Sequence, residues 1–124
     1  MARAAGPSTF VKGRHAEALA RRTLESAGVL VLDQNFRCPG GELDLVGDHA
    51  GVLCFVEVRS RLDETRGAPE ETIDARKRAR IRAAARAWLA AHEDLGARPC
   101  RFDVVAMVGQ GEAAEIRWIR AAFD

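Results

Sequence analysis

The order of elements predicts an α/β sandwich in which helices cover a mixed sheet. Three observations carry that expectation. An amphipathic helical stripe opens the chain, a run from Gly41 to Arg61 alternates like a β-hairpin, and a long alanine- and arginine-rich helix separates that hairpin from two further strands. Composition agrees, because 124 residues with 48% apolar content suit one domain with one substantial core. The formal net charge is +1, so bulk electrostatics neither require nor exclude a polyanionic partner, and the distribution of charge has to decide.

Residues 1–11 carry small residues, Pro7 and no periodicity, and are expected to form a flexible lead-in to a single domain over 12–124. From about Lys12 the pattern changes. Ala16, Leu19, Ala20, Thr23, Leu24 and Ala27 recur at helical spacing, and Gly28 supplies a left-handed stop. Glu17 lies at the edge of that stripe, either as a solvated glutamate or as one that reaches over the sheet the helix covers. Val29–Phe36 reads as a strand leading to a turn at Pro39-Gly40-Gly41.

In the hairpin, period-two alternation puts Leu43 and Leu45 on one face and Glu42, Asp44 and Val46 on the other. Its second half places Val52, Cys54, Val56 and Val58 together, opposite Leu53, Phe55, Glu57 and Arg59. Gly47 to Gly51 is expected as the connecting loop, with His49 a solvated turn residue. Residues 60–71, with Arg61, Glu64, Arg66 and Glu70, form the longest irregular connection, a kind of segment that often carries function.

A helix is expected from about Thr72 to Glu93, with Ile73, Ile81, Ala84, Ala85, Trp88 and Leu89 as its apolar stripe. Arg76, Arg78, Arg80, Arg82 and Arg86 make its polar side, which is either a solvated face or one that tracks a phosphate backbone. Lys77 falls four residues from both Ile73 and Ile81, on the stripe itself, so either its stem snorkels or its ammonium serves a site. Arg101–Val108 reads as a strand with Asp103 turned away from Phe102, Val104, Ala106 and Val108. A Gly109-Gln110-Gly111 turn then leads to an edge strand at Glu115–Ile119, where Trp118 is the large apolar contributor.

Several classes are disfavoured. Cys38, Cys54 and Cys100 are odd in number and widely spaced, which supports neither a disulfide framework nor a zinc knuckle and fits a reducing cytoplasm. The first ten residues lack the apolar run of a secretory signal, and no stretch approaches the ~20 apolar residues of a membrane span. A cytoplasmic protein with no membrane association is expected.

Glu57 carries the chemistry. A carboxylate in so apolar a strand costs several kcal/mol unless it is compensated. Arg59, two residues on, offers an ion pair. The alternative is a divalent cation shared with Asp44, since paired strands lie only ~5 Å apart. Magnesium prefers oxygen ligands, takes one or two protein carboxylates, and can assist phosphodiester hydrolysis.

Asp44, twelve intervening residues and Glu57-Val58-Arg59 resemble the catalytic signature of the PD-(D/E)XK nuclease superfamily. A wider set is similar to the YraN-like family of small bacterial proteins: Glu17, Asn35-x-Arg37, Gly41-Glu42-Leu43-Asp44-Leu45, Phe55-Val56-Glu57-Val58-Arg59-x-Arg61, Lys77 and Arg101-Phe102-Asp103-Val104-Val105. The resemblance runs from about Lys12 to Phe123. It implies a restriction-endonuclease-like α-β-β-β-α-β core and a Mg2+- or Mn2+-dependent endonuclease acting on DNA. Holliday-junction resolvases of the archaeal type share the helix glutamate and a similar acidic hairpin, so branched or structured DNA is an implied substrate. A homodimer is an implied arrangement.

Carried over by position, the likeness makes Asp44 and Glu57 the metal carboxylates, with the backbone carbonyl of Val58 a further ligand. Arg59 becomes the catalytic cation, with Glu17, Glu42 and Lys77 in support. Arg61, Arg66, Lys77 and Arg80 would contact nucleic acid. Arg59 departs from the family's usual lysine, and an arginine stays charged and cannot act as a base. Either that lysine's role is electrostatic, or Lys77 replaces it, or the protein is a nucleic-acid-binding module of the same fold that no longer cleaves. A structural domain, with Glu57 and Arg59 as a plain buried ion pair, is the remaining alternative.

Overall fold

The computed structural model describes residues 14–65, 67–110 and 113–124. In order these form helix α1 (Arg14–Ser26), strands β1 (Leu30–Cys38), β2 (Gly41–His49) and β3 (Val52–Arg61), helix α2 (Ala75–Ala90), and strands β4 (Cys100–Val108) and β5 (Glu115–Phe123). Short 3-10 turns at Pro69–Thr72 and Glu93–Leu95 flank α2. The expected lead-in, Arg66 and Gly111 lie outside the described residues.

The five strands form one mixed sheet in the order β1-β2-β3-β4-β5. All neighbours are antiparallel except β3 and β4, which run parallel and are joined by the crossover that contains α2. Alternation along β3 divides the core into two layers. Leu53 and Phe55 pack with Ile81, Ala84, Ala85 and Trp88 of α2, whereas Cys54, Val56 and Val58 pack with Ala16, Ala20 and Leu24 of α1. Helices therefore cover both faces, and the central strand is apolar on each, as a strand buried on two sides should be. The α/β sandwich expected from the sequence is the observed fold.

Trp88 ties α2 to the sheet by packing edge-on against Phe55 at 6.0 Å between ring centroids and donating its Nε1–H to Asp33 at 2.9 Å. At the other end of α2, Asp74 is extended and its side chain accepts the Lys77 N–H at 2.9 Å. That N-cap starts the helix later than the expected Thr72, because residues 69–72 close a separate 3-10 turn. Gly41 fixes the hairpin side of the same junction. A Cβ at this position would lie 2.4 Å from the carbonyl oxygen of Arg80, so only glycine lets the β1–β2 turn meet the helix.

Three strand expectations need correction. The β2–β3 connection is only Ala50-Gly51, whose φ values of 53° and 92° make the tight turn that suits strand twist. Gly47, Asp48 and His49 are therefore in β2, where His49 pairs with Val52, is half-buried and meets Trp118 edge-on at 5.1 Å. Leu43 and Leu45 do not share a face: Leu43 packs in the α2 layer and Leu45 in the α1 layer. The β2–β3 pairing stops at Leu45↔Val56, and the alternation of β2 changes phase at Asp44. The edge strand β5 is longer than expected and continues to Phe123, which stacks on Phe102 at 5.1 Å.

Candidate active site

The change of phase at Asp44 is where β2 and β3 part. Beyond Leu45↔Val56 no backbone pairing joins them, and the carboxylate of Asp44 takes the place of a ladder carbonyl, its Oδ2 accepting the Val58 N–H at 2.8 Å. One residue back along β3, Glu57 continues the face that carries Phe55 and turns towards α2. Its Oε2 lies 3.3 Å from Arg59 Nη2 and 3.5 Å from Lys77 Nζ. Both carboxylates are only 2% exposed. Glu57 and its two cations thus lie at the open end of the strand pair, one residue along β3 from the Val58 N–H that Asp44 accepts.

The two cations differ in access. The Arg59 side chain is 11% exposed, whereas that of Lys77 is 28% exposed and forms the rim. Lys77 reaches Glu57 because the Asp74 cap places it in the first turn of α2, where side chains lean back towards the helix N-terminus. The stripe position of Lys77 therefore corresponds to a place beside Glu57.

The other expected residues spread outward. Glu42 pairs with Arg37 at 3.3 Å at the turn end of the β1–β2 hairpin. Together with Lys77 and Arg80 of α2 these residues line a cavity of about 490 Å3. Arg61 follows on the same face of β3, half-buried, with its Nε enclosed and without a hydrogen-bond partner among the described residues. Glu17 is buried beside Ala16 on α1, and so lies in the layer opposite the one that holds Glu57. Among the described residues no group of three or more His, Cys, Asp or Glu side chains is gathered to hold a metal.

The donor set suits a hard cation nonetheless. Asp44 and Glu57 offer carboxylate oxygens, and magnesium or manganese bound by one or two protein carboxylates completes its shell with water. Zinc is a poorer match: His49 is engaged with Arg101 at 2.9 Å and His92 with the Trp88 carbonyl at 2.7 Å. Cys38, Cys54 and Cys100 are free thiols, and burial pushes the Cys54 thiol up to about 12, which keeps it protonated and inert.

Two features were not foreseen from sequence. Arg117 of β5 binds Glu64 and Glu70 at 3.2 Å each, tethering the connection between β3 and α2; these carboxylates hold its pKa above the ordinary arginine value. Asp103 is the centre of a second buried network, accepting from Arg101 Nε at 3.0 and 3.1 Å, Trp118 Nε1 at 3.0 Å and the Ala121 N–H at 3.0 Å. Its turn away from the apolar face of β4 was visible, but its partners lie on β5.

The fold and this site define a small mixed-sheet α/β protein with an acidic pair and two cations at parted strands. The chain belongs to the uncharacterised protein family UPF0102, whose sequence profile matches residues 16–107. The YraN-like likeness is to this family. Relatives described as UPF0102 proteins include one from Stutzerimonas stutzeri, 44% identical over 90% of this chain and 93% of its own. One from Myxococcus xanthus is 43% identical over 100% of this chain and 98% of its own. A third, from Moorella thermoacetica, is 40% identical over 90% and 94%. Among the described residues no helix is long and apolar enough to cross a membrane.

Proposed function

We propose that the protein is a divalent-metal-dependent endonuclease of the PD-(D/E)XK superfamily that hydrolyses phosphodiester bonds in DNA, branched or structured DNA in particular, in the cytoplasm. One observation carries the reading: Asp44 and Glu57 are buried at parted strands, linked through Val58, and a lysine from α2 arrives at the same carboxylate. Asp44 and Glu57, with the backbone carbonyl of Val58, would hold Mg2+ or Mn2+. When bound, such an ion would supply Lewis acidity towards a phosphodiester oxygen and lower the pKa of a bound water.

The chain's own groups account for the rest. Arg59 stays charged, balances Glu57, and offers its guanidinium to negative charge that develops on the phosphoryl oxygens. It cannot take a proton. Lys77 Nζ, 3.5 Å from Glu57, adds a compact ammonium that can orient the attacking water or balance developing charge. Arg61 and Arg80 flank this point on β3 and α2 and suit contacts to neighbouring phosphates. Glu42 restrains Arg37 at the edge of that path. Glu17 supports from beneath the sheet, and a homodimer would present two such sites to a branched substrate.

A second reading has its own observation. Glu57 already lies between two cations, 3.3 and 3.5 Å away, which is a complete ion-pair cluster without any metal. In that case the fold binds nucleic acid and does not cut it. Incubating the protein with branched, flapped and single-stranded DNA in Mg2+ or Mn2+ separates the two: strand scission that stops in EDTA supports the nuclease. Salt-sensitive binding with no scission supports the binding module. Lys77→Met is expected to slow cleavage about a hundredfold through the lost positive charge, while Arg59→Lys preserves it. Unchanged single-turnover rates in Lys77→Met would remove Lys77 from the reaction.

A further inference from the structure

Arg117 stands in line with Arg59. Across the sheet Arg59 pairs with Ala106 and Ala106 with Arg117, so the three side chains share one face, and Ala106 packs in the α2 layer of the core. Two strand spacings, about 10 Å, separate the arginine backbones, with only a methyl group between them. One step further along, Arg61, Val108 and Glu115 form the next row on that face. The sheet therefore carries cations from β3 outward to β5 on the side that holds Glu57.

Anions already lie against this row. Residues 62–74, which join Arg61 to the first turn of α2, hold five carboxylates and a single arginine. Two of those carboxylates, Glu64 and Glu70, reach Arg117, both at the same nitrogen, Nη2, and both at 3.2 Å. Arg117 Nη1 lies 3.7 Å from Glu115. Three carboxylates thus crowd one guanidinium, and none takes the pair of parallel hydrogen bonds that its planar fork can give. The contacts are open to solvent, since the side chains of Arg117, Glu64 and Glu70 are 31%, 41% and 30% exposed, and ion pairs in such places contribute little to stability. The segment has other anchors: Pro69 and Ile73 are buried, Thr72 Oγ1 donates to the Pro69 carbonyl at 2.7 Å, and Asp74 caps α2.

We propose that Arg117 is a further phosphate-binding residue of this site, and that Glu64 and Glu70 occupy it as intramolecular anions until the phosphates of a nucleic-acid strand replace them. The proposal rests on the nucleic-acid reading of the same face and makes residues 62–74 an acidic strap over its cations. With the strap carboxylates in place, Arg117 is neutralised and negative charge stands beside Arg59 and Arg61. A phosphodiester offers two oxygens to the guanidinium fork, and the displaced carboxylates return to water. Spacing suits one strand: with a phosphate about every 3.4 Å of axis, about 10 Å is spanned within some three nucleotides. The strap then lowers affinity in the free protein, because an incoming polyanion has to displace two anions before it gains one cation.

The test measures binding of a labelled single-stranded DNA over a series of salt concentrations, in EDTA so that no strand is cut. The double variant Glu64→Gln, Glu70→Gln is expected to bind about tenfold tighter than the parent protein. Its slope of log K against log salt steepens by about 0.7, the value of one added phosphate contact on a single strand. Adding Arg117→Gln to that variant removes both gains. The control Glu93→Gln, Asp94→Asn makes the same change of charge in the 3-10 turn at the other end of α2 and leaves the slope unchanged. Thermal unfolding establishes that all variants fold. Unchanged or weaker affinity in the strap variant, a gain that survives Arg117→Gln, an equal gain in the control, or no binding by any of these proteins overturns the proposal. Cleavage in Mg2+ is followed separately. Scission without the gain in affinity would remove the strap and leave the nuclease, and the gain without scission would do the reverse.

Discussion

Glu57→Gln is expected to slow metal-dependent DNA cleavage about a thousandfold, roughly 4 kcal/mol of lost transition-state stabilisation. Glutamine keeps the shape of the side chain and removes only its charge, so the change isolates what the carboxylate does. In the structure that carboxylate is 2% exposed and faces Arg59 and Lys77. Without it the two cations face each other and a divalent ion has lost one of its two acidic ligands. Folding stability falls as well, which is why single-turnover rates are compared at equal folded fraction, judged by circular dichroism. Asp44→Asn is expected to produce a loss of the same order, because its carboxylate is the other proposed ligand and holds the Val58 N–H at 2.8 Å. Rates within a few-fold of the parent protein in both variants would mean that the acidic pair is structural.

The largest stability effect belongs to the second buried network. Asp103→Ala is expected to cost about 3–5 kcal/mol in urea unfolding at neutral pH, the range for removing one partner of a buried, hydrogen-bonded charge pair. Asp103 is 0% exposed and accepts from Arg101, from Trp118 Nε1 and from the Ala121 N–H. Its removal orphans all three donors at once. Arg101 would keep its contact with His49 Nδ1 at 2.9 Å and its place over the Trp118 ring at 5.7 Å, and the bulged end of β5 would lose the anchor for a residue with φ of 51° at Ala121. A cost below about 1 kcal/mol would show that water replaces the carboxylate freely.

The two networks mark what is legible in the sequence and what is not. The alternation of β3 can be read directly, since Leu53 and Phe55 against Cys54, Val56 and Val58 follow strand geometry alone, and both sets pack as that period requires. The stripe position of Lys77 is equally local, because helical spacing from Ile81 turns it to the sheet, although Ile73 itself lies just before the helix. Its meeting with Glu57 depends on where the crossover returns, which no local pattern states. The phase change at Asp44 is illegible for a related reason. Period-two reading assumes an unbroken ladder, and here a side chain substitutes for a backbone acceptor. His49 was misplaced because glycine-flanked residues resemble a loop, whereas a two-residue turn at Ala50-Gly51 lets β2 run on to it. Arg117 has a local partner in Glu115 at 3.7 Å, but nothing local points to Glu64 and Glu70, which are 53 and 47 residues away in the chain.

The central claim is that Asp44 and Glu57 form one metal site. The most direct measurement is anomalous diffraction from crystals soaked in Mn2+. The account predicts a single ion coordinated by both carboxylates and the Val58 carbonyl, with Lys77 displaced from Glu57 or bridged to it by a metal-bound water. Crystals soaked at a concentration that saturates manganese-dependent cleavage, yet showing no ion there and Glu57 still paired with Arg59 and Lys77, would contradict it.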